Sequence, residues 1–200
     1  LCDMDVAVSR ICDAVKNDEK ICIFGDYDVD GATSAALLVR FLRSVGRAPQ
    51  VYIPDRIREG YGPNIPALLE LKRQGISIII TVDCGTLAVE PLEIASENNL
   101  DVIVVDHHAT EFQLPKAVAV INPNRIDDES GQGELAAVGV TFLLVVAINR
   151  HLREMGWFET CLEPDLMGWL DIVALGTVCD VVPLKGVNRA FVSQGLKVMA

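Results

Sequence analysis

Hydrophobic residues along the chain fall into short continuous runs that alternate with longer segments of helical spacing. The runs are rich in valine and isoleucine and predict buried β-strands at residues 21–25, 50–54, 76–82, 101–105 and 117–121. Helical periodicity marks the segments between them, at 32–46, 64–75 and 88–99. Continuous apolar strands that alternate with helices are typical of parallel sheets covered on both faces. The pattern therefore predicts an α/β fold with a mostly parallel sheet and helices on both faces.

The pattern changes after residue 122. A polar loop covers residues 122–134, and two largely helical stretches follow at 135–156 and 163–180. The simplest interpretation is one domain over residues 1–200, in which 1–122 form the sheet core and 123–200 form a loop and a helical portion. The chain lacks an initiator methionine, and its last residues resemble a helix. We therefore expect it to be a piece of a longer protein.

The composition is that of a globular protein, with half of the residues hydrophobic and 22% charged. No apolar run is long enough to span a membrane and the first residues do not resemble a secretory leader, so we expect a cytoplasmic protein without a membrane partner. The six cysteines occur singly, which favours reduced thiols. The net charge of −11 argues against nucleic-acid binding, since nucleic-acid-binding proteins usually present a basic surface.

Acidic residues and histidines directly follow several of the predicted strands. In chain order, these residues are Asp26, Asp28, Asp30, Asp83, Asp106, His107 and His108. Because ligands of open α/β sheets bind beyond the carboxyl ends of the strands, these side chains should converge at one edge. Carboxylates gathered so closely repel one another unless a cation neutralises them. Oxygen ligands with one imidazole suit Mn²⁺ or Mg²⁺.

Each of these features also has an ordinary structural explanation. The DYDVDG segment (26–31) could be a strand-to-helix turn, and a single acid after a strand, such as Asp83, is common. Adjacent histidines after a buried strand are harder to explain by packing. Asp180 lies among apolar residues, where an unpaired carboxylate would be costly. Their joint occurrence favours a metal centre, whereas His151, alone on a helix, is expected to be a surface residue.

Four segments resemble, in the same order, the motifs of the DHH phosphoesterase superfamily. They are GDYDVDGATSAALL, TVDCG, VVDHHAT and ALGTVCDVVPL. Two further segments, PDRIREGYGPN and NRAFVSQGL, resemble the RecJ-type exonucleases within that superfamily. Pyrophosphatases and small oligoribonucleases of the superfamily typically have a histidine four positions before the first acid of DxD, and here that position is Phe24. Asp26 instead precedes the DxD pair by two positions, as in RecJ-type proteins.

The resemblance implies two adjacent metal sites that hold divalent ions, with Mn²⁺ expected first and Mg²⁺ as the alternative. One ion would be held by Asp30, Asp83, His107 and Asp180. The other would be held by Asp26, Asp28 and Asp83, with Asp83 bridging the two. By the same resemblance, His108 would face the scissile phosphate, either stabilising its charge or protonating the leaving oxygen. Asp106 would orient a histidine.

The resemblance further implies a single-stranded-DNA-specific 5′→3′ exonuclease of recombination and repair, with a helicase and a single-strand-binding protein as possible partners. A DHH-associated domain and an oligonucleotide-binding domain would follow residue 200. Two bound ions would offset part of the negative charge that argues against nucleic-acid binding. Candidate contacts to the strand are Arg56, Arg58, Gly60, Tyr61 and Gly62. Further positive candidates for a groove are Lys72, Arg73 and Arg125.

Two alternatives remain open at this point. The first is a DHH phosphodiesterase that acts on oligoribonucleotides or cyclic dinucleotides. The second is a replication scaffold without catalytic activity. Scaffold relatives of this fold typically lack some of the motif acids and histidines, whereas this chain keeps each one that can be matched.

Overall fold

The five predicted strands are present in a computed structural model that describes all 200 residues. They are β1 (Ile21–Gly25), β2 (Gln50–Tyr52), β3 (Ile78–Val82), β4 (Asp101–Val105) and β5 (Ala119–Ile121). The strands form one sheet in the order β2–β1–β3–β4–β5, and every neighbouring pair is parallel. The predicted parallel sheet is confirmed.

Seven α-helices accompany the sheet. They are α1 (Met4–Lys16), α2 (Val29–Ser44), α3 (Ile65–Arg73), α4 (Val89–Glu97), α5 (Ala137–Glu154), α6 (Leu170–Cys179) and α7 (Gly186–Met199). Helix α1 was not among the predicted elements. The predicted helical stretch 163–180 begins with a short 3₁₀ turn, Leu166–Trp169, before α6. None of these helices is long and apolar enough to cross a membrane.

Helices cover both faces of the sheet, as predicted. Successive side chains of a strand point to opposite faces. In β1, Ile21 and Ile23 therefore join the larger core with α1, α2 and α5, whereas Cys22 and Phe24 join the smaller core with α3 and α4. The two cores contain 34 and 14 buried residues, and the larger one continues into the helical C-terminal portion.

Helix α6 packs closely against α2 because one of its residues has no side chain. A Cβ atom at Gly176 would overlap Thr33 Oγ1 of α2 and would lie 2.8 Å from Val138 Cγ1 of α5. This close approach carries the end of α6, where Asp180 forms the C-cap, to the carboxyl edge of the sheet. Residues 123–200 therefore contribute a side chain, Asp180, to the same edge of the sheet as the acids of residues 1–122. The division into these two portions of one domain, and the further domains expected after residue 200, stay predictions.

Candidate metal centre

Three buried carboxylates stand directly after adjacent strands. Asp26 follows β1, Asp83 follows β3 and Asp106 follows β4, and each is at most 5% exposed. Strand β1 has β2 as its neighbour on one side and β3 as its neighbour on the other. The direction in which strands are added to the sheet therefore reverses at β1. Such switch points open a crevice at the carboxyl ends of the strands. The convergence expected from the strand pattern is present in the structure.

The start of α2 contributes two more acids. Asp28 is the N-cap of this helix, and its Oδ1 accepts a hydrogen bond of 2.9 Å from the N–H of Gly31. Gly31 is required here because a Cβ atom would lie 2.7 Å from the backbone oxygen of Asp26. The turn interpretation of this segment is therefore correct as local structure. The same turn also presents the side chain of Asp28 at the edge of the sheet.

Asp30 connects the sheet core to the helical portion. Its two carboxylate oxygens accept hydrogen bonds of 2.6 and 2.8 Å from the N–H groups of Ala137 and Val138, in the first turn of α5. Burial raises the pKa of Asp30 to about 6, although the bond from Val138 opposes this rise. A carboxylate at a helix N-terminus is favoured by the helix dipole. Asp30 thus caps the first turn of α5 and also belongs to the carboxylate cluster.

His107 lies at the centre of the acids. Its Nε2 atom is 3.3 Å from Asp83 Oδ1, and 3.8 Å from both Asp30 Oδ2 and Asp180 Oδ2. Three sets of side chains each bring potential ligand atoms within 4.8 Å of one another. These sets are Asp30, His107 and Asp180; Asp26, Asp28 and Asp83; and Asp83, His107 and His108. Asp83 and His107 each belong to two sets.

Four acids of the cluster, Asp26, Asp30, Asp83 and Asp180, hold their protons more tightly than ordinary carboxyls. Burial, together with neighbouring carboxylates, raises the pKa of Asp26 to about 6 and that of Asp83 to about 7. For Asp180 the pKa is raised mainly by burial. Burial alone would lower the pKa of His107, but the Asp83 carboxylate 3.3 Å away and the charges of Asp180 and Asp30 outweigh it and raise this pKa to about 9. The site is therefore short of positive charge.

Three carboxylate oxygens of the cluster are buried without a hydrogen-bond partner. They are Asp26 Oδ1, Asp83 Oδ1 and Asp180 Oδ2. Buried polar atoms are almost always hydrogen-bonded, so each unpartnered atom needs an explanation. A divalent cation would provide one, since Mg²⁺ and Mn²⁺ prefer oxygen ligands and tolerate an imidazole. The donor set therefore fits such ions.

His108 is held by a strongly bonded carboxylate. Asp106 Oδ1 lies 2.7 Å from His108 Nδ1 and also accepts the N–H groups of His107 and His108, while Oδ2 accepts the N–H of Thr86 at 3.0 Å. Burial would raise the pKa of Asp106, but these bonds outweigh it and lower the pKa to about 2. The bond to Asp106 raises the pKa of His108. This arrangement leaves Nε2 of a half-exposed imidazole without a hydrogen bond.

Two supporting residues of the cluster were not predicted from the sequence. The buried Asn122 donates from Nδ2 to Thr86 Oγ1 and to the backbone oxygen of His108, both at 2.9 Å. Asn122 follows β5 at the same edge of the sheet. Its position after a predicted strand is a signal in the sequence, although the segment that contains it is predicted to be a polar loop. Thr86 had no comparable signal, because its role depends on the fold.

The residues predicted to contact a strand are placed unequally. Tyr61 lies beside the cluster, where its hydroxyl donates to the backbone oxygen of Asp83 at 2.9 Å. The Arg56 guanidinium lies 4.4 Å from the centre of the Tyr27 ring, and its charge opposes the rise in the pKa of Asp26. Arg58 is 86% exposed and lies 4.0 Å from its neighbour Asp55. Gly60 and Gly62 both adopt positive φ, which shapes the turn that carries Tyr61.

Three of the positively charged candidates for a groove do not line one beside the cluster. Arg125 is buried, where it pairs with Asp3 and Asp127 at 2.6 and 2.7 Å and fastens the N-terminus to the loop after β5. Lys72 and Arg73 lie at the end of α3, which is at the opposite edge of the sheet. Lys72 donates to a backbone oxygen just before β4, and Arg73 pairs with a glutamate of its own helix.

Comparisons with known proteins agree with the motifs. Residues 20–177 match the family described as "DHH family, N-terminal domain". The single-stranded-DNA-specific exonuclease RecJ of Dickeya dadantii (strain 3937) is 44% identical over 193 residues, which are 95% of this chain and 34% of that protein. The chain thus spans about a third of the length of this curated relative.

Solved structures show the same relationship. Exonuclease RecJ bound to manganese is 34% identical with a TM-score of 0.84, covering 98% of this chain and 48% of that one. RecJ from Thermus thermophilus in complex with Mn²⁺ is 31% identical with a TM-score of 0.77, covering 97% and 26%. The sheet order, the four motifs and the match over residues 20–177 lead to one conclusion. The chain belongs to the DHH family.

Proposed function

We propose that this chain hydrolyses phosphodiester bonds of single-stranded DNA from the 5′ end, with two divalent ions held by the carboxylate cluster. The observation that carries the proposal is the set of three buried carboxylate oxygens, each without a hydrogen-bond partner, around one imidazole. The relatives named single-stranded-DNA-specific exonuclease, at about two-fifths identity over nearly the whole chain, support the choice of substrate.

Asp83 would bridge two ions in this proposal. One ion would be held by Asp30, Asp83, His107 and Asp180, and the other by Asp26, Asp28 and Asp83. The proximity of the ligand atoms within each set supports this division. Mn²⁺ is the first choice because it is present in two similar solved relatives, and Mg²⁺ is the alternative. Such ions supply Lewis-acid activation of a water molecule and of the phosphate.

The protein's own residues would orient the phosphate and handle the proton. His108, fixed by Asp106 through Nδ1, has Nε2 free to donate a proton to the leaving 3′ oxygen. Its raised pKa favours the protonated form that this step requires. Asp106 is a positioning residue, since all its observed bonds serve the histidines and Thr86. Arg56, held over Tyr27, would contact a phosphate of the incoming strand.

The cellular role follows from the substrate. We place the activity in DNA recombination and repair in the cytoplasm, where a helicase and a single-strand-binding protein would supply and protect single strands. The alternative of an oligoribonucleotide or cyclic-dinucleotide phosphodiesterase uses the same cluster and differs only in substrate. The scaffold alternative is disfavoured because the acids and histidines of all four motifs meet at one site.

The test compares end-labelled single-stranded DNA, single-stranded RNA and dinucleotides as substrates of the Mn²⁺-loaded chain. We expect DNA mononucleotides to be released from the 5′ end, and hydrolysis confined to dinucleotides would overturn the exonuclease assignment. Asp83→Asn should abolish turnover because it removes the bridging carboxylate. Asp18→Asn is a matched control, since both residues adopt positive φ and Asp18 is exposed, far from the cluster. Equal loss in both variants would contradict a metal-bridging role.

A further inference from the structure

The two histidines of the cluster are adjacent in the sequence but point to different partners. His107 Nε2 lies among the acids, 3.3 Å from Asp83 Oδ1, whereas His108 Nδ1 is bound to Asp106. The centres of the two rings are 4.7 Å apart, and the ring planes are tilted by 58°. Both residues belong to a loop after β4, outside any helix or strand. The direction of each ring therefore depends on the contacts that fix this loop.

The backbone of both histidines is held at both ends. Asp106 Oδ1 accepts the N–H groups of His107 and His108 at 2.8 and 3.2 Å. The two backbone oxygens each accept a hydrogen bond from an asparagine side chain. Asn122 Nδ2 donates to the oxygen of His108, and Asn124 Nδ2 donates to the oxygen of His107. Each histidine thus has an asparagine of its own.

The segment Asn122–Pro123–Asn124 holds the two amides next to each other. Asn122 Oδ1 accepts the N–H of Asn124 at 2.8 Å, which is the bond of an Asx turn, and the proline between them has a fixed φ. Asn122 is fully buried and donates from Nδ2 to both Thr86 Oγ1 and the His108 oxygen. Both N–H groups and the oxygen of this amide are therefore bonded, which leaves it one orientation.

Asn124 connects His107 to the segment that holds another proposed ligand of the same ion. Its Nδ2 also donates to the backbone oxygen of Gly133 at 3.2 Å, four residues before α5 begins. The first turn of α5 provides the two N–H groups that bind Asp30. A Cβ atom at Gly133 would lie 2.6 Å from Asn124 Oδ1, so the loop approaches this amide as closely as glycine permits. Asn124 therefore fixes His107 relative to Asp30.

Asn122 belongs to a different set of bonds, which contains no proposed metal ligand. Its partner Thr86 donates its own N–H to Asp106 Oδ2 at 3.0 Å. Asp106 Oδ1 in turn lies 2.7 Å from His108 Nδ1, and the His108 oxygen accepts from Asn122. These bonds form a closed ring around His108. Asn122 therefore fixes His108 relative to Asp106.

We propose that Asn122 and Asn124 are positioning residues with separate roles. Asn124 sets the affinity for the ion that His107 helps to hold, and Asn122 sets the rate at which His108 delivers its proton. This inference rests on the proposed function. Groups that orient a ligand or a site residue typically contribute roughly 10–100-fold to metal affinity or activity. The same substitution at two positions two residues apart should therefore change two different measured quantities.

The role of Asn124 is tested by Mn²⁺ binding without substrate, with the EPR signal of the free ion as the readout. Asn124→Ala should raise the Kd of one of the two ions roughly 10–100-fold, and turnover should recover at saturating Mn²⁺. Asn98→Ala is the control, because Asn98 Nδ2 also donates to a backbone oxygen, that of Ile94, but at the end of α4 on the opposite edge of the sheet. An unchanged Kd in Asn124→Ala would overturn the assignment.

Asn122→Ala should give the reverse pattern on single-stranded DNA. We expect kcat to fall roughly 10–100-fold at every Mn²⁺ concentration, with unchanged KM and an unchanged Kd for Mn²⁺. If Asn122→Ala shows no thermal unfolding transition, Thr86→Val replaces it, since valine keeps the shape and removes the hydroxyl that holds the Asn122 amide. The same pattern is then expected to a smaller extent. Unchanged kcat, or weaker Mn²⁺ binding in a folded variant, would contradict the separation of roles.

Failure of the proposed function would be distinguishable from failure of this inference. Hydrolysis of no strand by the Mn²⁺-loaded wild type would overturn the proposed function and, with it, the role of Asn122. The role of Asn124 would still be decided, because its readout is the binding of Mn²⁺ alone.

Discussion

Replacement of Asp83 by asparagine should stabilise the metal-free chain at neutral to alkaline pH. Burial raises the pKa of Asp83 from 3.8 to about 7. The folded chain therefore keeps this proton at pH values where the unfolded chain has lost it, and the free energy of unfolding falls as the pH rises through this range. Above about pH 7 the charged carboxylate destabilises the folded state by the full amount. Asparagine keeps the shape of the side chain and the positive φ without the charge.

The size of the gain follows from the pKa. A difference of roughly three pKa units corresponds to about 4 kcal/mol, at about 1.4 kcal/mol per unit. The pKa of about 7 already includes the opposing effect of His107, whose Nε2 is 3.3 Å from Asp83 Oδ1. The folded site can relax around the charge and admit water, so about half of that gain should be observed. A gain of about 2 kcal/mol raises the Tm of a domain of this size by roughly 4–8 °C.

Thermal unfolding in EDTA at about pH 8 and about pH 5 measures this effect. We expect Asp83→Asn to melt above the wild type at the higher pH and the difference to shrink at the lower one, where the wild-type carboxyl is protonated. Saturating Mn²⁺ should reverse the order, because ligands that bind the folded state raise its stability and the variant lacks the bridging carboxylate. The Asp18→Asn control should change little. A variant that melts below the wild type without metal at the higher pH would refute the reasoning.

Three further predictions concern packing, positioning and thiol exposure. Gly176→Ala should lower the free energy of unfolding in urea by about 1–3 kcal/mol, because the added methyl overlaps its neighbours. It should also weaken Mn²⁺ binding through Asp180, and unchanged values for both would contradict the close packing of α6. Asp106→Asn should lower the rate of hydrolysis roughly 10–100-fold while Mn²⁺ stays bound, because removal of a group that orients a site residue commonly has an effect of this size. Undiminished turnover would exclude the positioning role. Ellman's reagent should react rapidly with the exposed thiols of the folded chain and reach the three buried ones only in urea, and rapid reaction of all six would show an open core. The exposed thiols are those of Cys161 and Cys179, and the buried ones are those of Cys12, Cys22 and Cys84.

Much of the fold was predictable because it depends on local patterns. The five apolar runs became the five strands, and the acids that follow them met at one edge because parallel strands end together. Helix α1 was also predictable in principle, since Ala7, Val8, Ile11 and Val15 have the spacing of one buried helical face.

The remaining features depend on partners distant in sequence. Arg125 was a candidate for a groove, but it is buried with its partner Asp3, which is 122 positions away in the sequence. The bonds from Asp30 to the start of α5 join residues 107 and 108 positions apart. Such pairings follow from how the helical portion docks on the sheet. No local periodicity or spacing contains that information.

The two bonds from Asp30 to α5 make the chain suitable for division into complementing pieces. A cut in the loop between β5 and α5 would leave one piece with Asp30, Asp83 and His107 and the other with Asp180. The first piece would keep Asp26, Asp28 and Asp83, but neither piece would contain all four ligands of the ion proposed for Asp30, Asp83, His107 and Asp180. Metal-dependent turnover would then appear only when the pieces reassemble, with Asp30 again at the start of α5. The same bonds that position one acid would thus make the proposed activity a measure of whether the two pieces have assembled.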